Sequence, residues 1–200
     1  MKEFLSAVRS VAWVRLAAAV PKGRNLSLRF ELFRRIEADP ASAWIVSCQR
    51  VREMRLTVDD FGGLNFWRDD HPVLAQFTSP KSSLTIHVGG RSIDECAGVL
   101  LRAHWKAADD WIEFDRYAFR HGRLTASSSR VSIAGPQFLM EAYYKELKQS
   151  GFATQLKLHK RKLYWSGPGW SERKRGVSAL HFSNSFVVAE SFSAELDRSE

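Results

Sequence analysis

The sequence predicts an α+β fold: a curved antiparallel sheet with about three helices packed on one face. Three observations carry this. Runs of strict apolar/polar alternation recur along the chain, and alternation of period two is the mark of a half-buried strand. Helical periodicity is confined to three stretches with start or stop signals. Most strand candidates are joined by short Gly, Pro, Asp or Ser links, which suit hairpins and not parallel crossovers. At 200 residues the chain reads as one α+β domain, 1–200. It divides into an N-terminal helix (1–22), a β-rich part (23–90) and a mixed helix and strand part (91–200). A globule of this size hides roughly 70% of the surface its unfolded chain exposes. With 44% apolar residues, seven Trp and thirteen Phe, the composition is that of a folded protein and not of a disordered one.

Residues 3–20 show Leu5, Val8, Ala12, Leu16 and Ala19 at three- and four-residue steps, which predicts a helix ended by Pro21 and Gly23. In "NLSLRFELF", Leu26, Leu28, Phe30 and Leu32 share one face of a strand. In "WIVSCQRVREMRLTV", Trp44, Val46 and Cys48 are in phase; the alternation then slips near Gln49 and Arg50, which predicts a bulge or strand end. "LNFW", "VLAQF" and "SLTIHV" add three short strands.

"RSIDECAGVLLRAHWKAADD" predicts a helix, with Ser92 and Glu95 as a reciprocal capping box and Ile93, Ala97, Leu100, Leu101 and His104 as its stripe. "WIEFDRYAF" reads as a strand and "RLTASSSRVSIA" as a hairpin turning at the serines. "GPQFLMEAYYKELKQSGF" predicts a helix with Pro136 at its first position, Gly151 as its left-handed stop and Phe152 closing it. "FATQLKLHKRKLYW", "VSALHF" and "FVVAESFSAEL" complete the strands. The stretches 82–114 and 128–158 both run strand, turn, helix, strand. Their identity is low, but the echo raises the option of two strand-strand-helix-strand repeats.

The net charge is +8 and the pI about 9.8, a balance that favours polyanions or anionic surfaces and also serves solubility. Its distribution is uneven. From Gly151 to Phe182 seven Lys or Arg face Glu172 alone, a local +6, whereas Ser183 to Glu200 is −3. Cys48 and Cys96 are far apart and in no metal-ligand spacing, so neither a disulfide framework nor a metal site is expected. Arg9 and Arg15 interrupt any signal-peptide core, and no run approaches the ~18 apolar residues of a membrane span. The cytoplasm is the expected location, with no cofactor implied.

Catalytic motifs are absent: no HExxH, no nucleophile elbow, and "DFG" at 60–62 lacks its companion motifs. The most enzyme-like cluster is Asp69, Asp70 and His71, two carboxylates beside an imidazole that could hold a metal or a general base, against the plain alternative of a polar turn before Pro72. His104, on an apolar stripe, reads as a hydrogen-bonded core histidine. Cys96 sits in a helical first turn, where the dipole lowers a thiol pKa, but Asp94 and Glu95 oppose that.

The densest signal is "KRKLYWSGPGWSERKRG", residues 160–176. Lys157, His159 and Arg161 project from one strand face, Lys160 and Lys162 fall where the strand must distort, and "SGPG" turns the chain. Tyr164, Trp165 and Trp170 stand between that row and a second made of Arg173, Lys174 and Arg175. Cations that displace counterions, with aromatic faces between them, are what a phosphate backbone or single strand requires. Edge strands also carry Lys and Arg merely to prevent aggregation, and Trp beside Gly-Pro turns packs onto cores. For the stretch itself the first expectation is an ordinary protected hairpin; the functional expectation set against it is a binding domain contacting nucleic acid or another polyanion at 157–176. The alternatives are a protein-interaction module, with a protein partner or a homodimer, as part of a larger assembly or of a toxin, immunity or defence pair, and a hydrolase-like enzyme around Asp69, Asp70 and His71.

Overall fold

The computed structural model describes residues 1–35, 39–57, 60–68, 71–118, 129–167 and 169–198. Along the chain they form α1 (Lys2–Arg9), β1 (Trp13–Lys22), β2 (Asn25–Phe33), β3 (Ser42–Arg55), β4 (Asp60–Phe61), β5 (Leu64–Trp67), α2 (Pro72–Thr78), β6 (Lys81–His87), α3 (Ile93–Ala108), α4 (Asp115–Ala118), β7 (Arg130–Pro136), α5 (Gln137–Gln149), β8 (Ala153–Leu158), β9 (Tyr164–Trp165), β10 (Trp170–Ser171), β11 (Ser178–Phe182) and β12 (Ser185–Leu196). Where the sequence reads as one domain, contacts gather the chain into two compact units, Met1–Asp69 with Gly176–Glu200, and Asp70–Arg175. The mixed α and β character and the large antiparallel sheet stand as expected. The helices number five among the described residues, not about three.

In the first unit the alternation of β2 does what its spacing dictates: Leu26, Leu28, Phe30 and Leu32 are buried, and Trp44, Val46 and Cys48 of β3 join them in one core with Phe182 and Val187. The sheet is antiparallel in the order β4-β1-β2-β3-β12-β11-β5 and open at its ends. The slip expected near Gln49 is real. Arg50 takes a left-handed φ of 52°, its N–H donates to Asn25 Oδ1 at 2.9 Å, and the register against β12 shifts between Val188 and Ala189, which inserts the extra residue of a bulge.

The helix predicted over 3–20 stops at Arg9. Ser10 caps it, its hydroxyl donating to Ala7 O at 2.7 Å. From Trp13 the chain pairs instead with β2 across the two-residue turn Gly23–Arg24, Gly23 having a φ of 63°. Leu16 and the alanines fit either period, and a full hairpin ladder satisfies the backbone while Val14 is buried, so tertiary pairing overrides local propensity.

The second unit contains a three-stranded antiparallel sheet, β7-β6-β8, with α3 and α5 over one face. Leu84, Ile86, Val131 and Ile133 from the strands meet Val99, Leu100, Leu139 and Tyr143 from the helices. The buried stripe of α3 is Cys96, Val99, Leu100, Ala103 and His104, while Leu101, expected on it, is exposed. The capping box is only half formed: Ser92 Oγ accepts from Asp94 N at 3.1 Å, but Glu95 pairs with Arg91. Pro136 stands at the N-cap of α5, one place earlier than predicted. Its far end closes as expected, with Gly151 at φ 80°, Phe152 N–H donating to Leu147 O at 3.0 Å and Gly151 N–H to Lys148 O at 3.1 Å.

Two strand expectations in this unit are corrected. "VLAQF" lies in α2, where Pro72 occupies the first turn, His71 caps it, and Val73, Leu74, Gln76 and Phe77 are buried. "WIEFDRYAF" carries α4 at Asp115–Ala118; Ile112 and Tyr117, an odd number of residues apart and so of opposite strand phase, are both buried in the one core of this unit. The first strand-turn-helix-strand echo therefore lacks its closing strand, and the repeat is not confirmed. The first arm of the hairpin expected in "RLTASSSRVSIA" lies outside the described residues. Among the described residues no helix is long and apolar enough to cross a membrane.

Candidate polyanion-binding site

The basic stretch belongs entirely to the second unit. β8 ends at Leu158, so the distortion expected near Lys160 is a strand end. The chain returns through β9 and β10, which pair Tyr164 with Ser171 and Trp165 with Trp170. The turn between them is held by the N–H and hydroxyl of Ser166, both donating to Gly169 O at 2.8 Å. This pairing sets the run before it, Lys160 to Lys162, beside the run after it, Arg173 to Arg175.

Lys157, Lys160, Arg161, Lys162, Arg173 and Lys174 are exposed, and Arg175 is half-buried. Arg161 is ion-paired with Glu172, the one carboxylate of the stretch. Among the described residues, Lys157, Lys160, Lys162, Arg173 and Lys174 make no ion pair. Two acids of the C-terminal segment are taken within their own unit: Glu190 pairs with Arg50 and Arg52, and Asp197 with Arg29 at 2.7 Å.

The rings between the runs are packed on one another and on the unit's core. Trp165 and Trp170 are half-buried and meet each other nearly edge to face, with centroids 5.4 Å apart at 66°. Tyr117, itself buried, lies 6.0 Å from Trp165 and 6.4 Å from Trp170. Its hydroxyl donates to Gln76 Oε1 at 3.1 Å, and Gln76 is fully buried. The hairpin is thus anchored to the unit through its aromatic side, and Tyr164 is likewise half-buried, bridged to Pro80. Lys81 Nζ sits 5.3 Å from the Trp170 ring centre, an additional cation on that ring.

Of the enzyme-like cluster, Asp69 and Asp70 lie outside the described residues. His71 has a structural part: its Nδ1 accepts from Val73 N at 3.3 Å at the N-cap of α2, and its ring stands edge-on to Trp111 with centres 4.6 Å apart. His104 is 1% exposed, as its apolar stripe implied, and both nitrogens are engaged, with Tyr143 Oη at 2.7 Å and Ile112 O at 2.6 Å. Burial lowers its pKa, the hydrogen bond to Ile112 opposing. Burial also pushes the Cys48 thiol up to about 12 and the Cys96 thiol up to about 11, Arg91 opposing in the second case. Neither is a reactive thiolate at neutral pH, and the helix dipole does not prevail at Cys96.

One contact escapes any local reading of the sequence. His159 Nε2 lies 2.8 Å from Ser83 Oγ, joining residues 76 positions apart, and both are half-buried on the sheet. The only sequence signal was that "SSLTIH" and "ATQLKLH" are both strand-like and free of acids. No family model, curated protein or solved structure shows significant similarity to the chain.

Proposed function

We propose that the unit Asp70–Arg175 binds a polyanion, the phosphodiester backbone of nucleic acid, through Lys157, Lys160, Lys162, Arg173 and Lys174. The reading rests on the juxtaposition of two cationic runs by the β9–β10 pair, with five exposed cations left without an ion pair among the described residues. Cations gathered without matching carboxylates displace condensed counterions, which is the main source of sequence-independent affinity for nucleic acid. Arg161, held by Glu172, orders the rim between the runs. Trp165, Trp170 and Tyr164 fix the hairpin and leave phosphate, more than base, as the group contacted. A cytoplasmic home suits two free, buried cysteines.

Fluorescence anisotropy with a labelled single-stranded oligonucleotide tests this. Five neutralised phosphates give a log–log salt slope of about −3.5, or roughly a hundredfold loss of affinity between about 50 and 200 mM salt. Lys160→Ala, Lys162→Ala and Lys174→Ala together should bring the slope to about −1.4. Binding that ignores salt, or is absent even at low salt, removes the proposal.

A further inference from the structure

Helices cover one face of the β7-β6-β8 sheet; among the described residues the other is largely exposed. Strand register sets its side chains in rows, three of them beyond the end where Lys81 stands opposite the buried Pro136. His87 stands opposite Arg130 and Ala153, Thr85 opposite Ser132 and Gln155, and Ser83 opposite Ala134 and Lys157. His87, Arg130, Ser132, Gln155 and Lys157 are exposed, and Thr85 and Ser83 are half-buried. Successive rows are two residues apart, about 6.7 Å, so the outer rows lie about 13 Å from each other.

The chemistry of this face is one-sided. The strands "KSSLTIH", "RVSIAGP" and "ATQLKL" contain no carboxylate, whereas α3 and α5 carry Asp94, Glu95, Glu141 and Glu146. A sheet face that needs only solubility mixes both signs of charge. Here Arg130 closes one end, Lys157 the other, and the centre holds two hydroxyls and an amide, groups that both donate and accept. Thr85 Oγ1 and Ser132 Oγ are 3.4 Å apart, close enough to act on one ligand oxygen. His159, fixed by Ser83, borders the Lys157 row. Among the described residues the three strands carry no Phe, Tyr or Trp, and their one ring on the face is the imidazole of His87 at the Arg130 end, so the middle row offers bases no stacking platform. What fits is a sugar–phosphate strand, with phosphates at the cationic ends and sugar hydroxyls over the middle row.

We infer that this face reads ribose 2′-hydroxyls through Thr85, Ser132 and Gln155, so that the nucleic acid bound by this unit is single-stranded RNA in preference to DNA. The inference rests on the polyanion reading above and shares Lys157 with it. The 2′-hydroxyl is the group by which a protein distinguishes the two backbones. Deoxyribose would leave the middle row without its partner.

The test uses the full chain with single-stranded RNA and DNA oligonucleotides of the same base order at low salt. RNA should bind about tenfold more tightly, as expected of one or two added hydrogen bonds. Thr85→Val, Ser132→Ala and Gln155→Ala combined should lower RNA affinity to the DNA value, with DNA binding and the salt slope unchanged. Equal affinity of the wild-type chain for RNA and DNA, with a steep salt slope, overturns this inference and leaves the phosphate reading standing. So does a triple variant that loses RNA and DNA alike. Absence of binding to either by the wild type overturns both.

Discussion

Replacing Tyr143 with Phe removes one oxygen from a fully buried site, and the structure sets what that should cost. Ile112 O can only accept, so His104 Nε2 carries the proton and donates to it; Nδ1 is then a lone pair that accepts from the Tyr143 hydroxyl. Each bond is short, at 2.7 and 2.6 Å, and the imidazole is 1% exposed. Tyr143→Phe leaves Nδ1 buried without a donor, at a cost of about 1–3 kcal/mol. His104→Leu should cost more, because it strands both the tyrosine hydroxyl and the Ile112 carbonyl. The double variant strands only that carbonyl, so it should be less destabilised than the two single effects added, with a coupling of about 0.5–3 kcal/mol. Urea unfolding measures this as a fall in midpoint at constant slope. Additive effects, or Tyr143→Phe within about 0.5 kcal/mol of wild type, would show that the pair is not the buried bond described.

The remaining expectations concern the same unit. The folded-state pKa of His104 lies below its ordinary 6.5, so the unfolded chain takes up the proton first. The stability contributed by the neutral ring is complete above about pH 6.5 and is lost as pH falls through the folded value. Comparing pH profiles of unfolding for wild type and His104→Gln isolates that share, and parallel profiles would refute it. Gly151→Ala places a Cβ at φ 80°, 3.3 Å from Arg91 Nη1. It should destabilise by about 1–2 kcal/mol in the same unfolding assay, and no change would deny the left-handed stop its role.

Legible from short windows were the features that short-range sterics set. The alternation of β2, the phase of Trp44, Val46 and Cys48, the slip at Arg50 and the Gly151 stop depend on a few neighbouring residues, and each is found where its own segment put it. The cationic runs around the Gly-Pro-Gly turn were equally visible, since charge density is a property of composition.

What remained to be decided by the tertiary structure depended on partners remote in the chain. Residues 13–22 fit a helix or a strand, and the free edge of β2 chose the strand. "VLAQF" and "WIEFDRYAF" have strand-forming residues, but the first is taken into α2 behind Pro72 and the second gives α4 at Asp115–Ala118, with Val73, Leu74, Phe77, Ile112 and Tyr117 buried. The fate of Trp165 and Trp170 turned on Tyr117, roughly fifty residues earlier, and the Ser83–His159 contact on the pairing of β6 with β8, between which α3, α4, β7 and α5 intervene. Backbone sterics act within a turn or two of chain, whereas burial and pairing act through space. A window of sequence holds the first and omits the neighbours that settle the second.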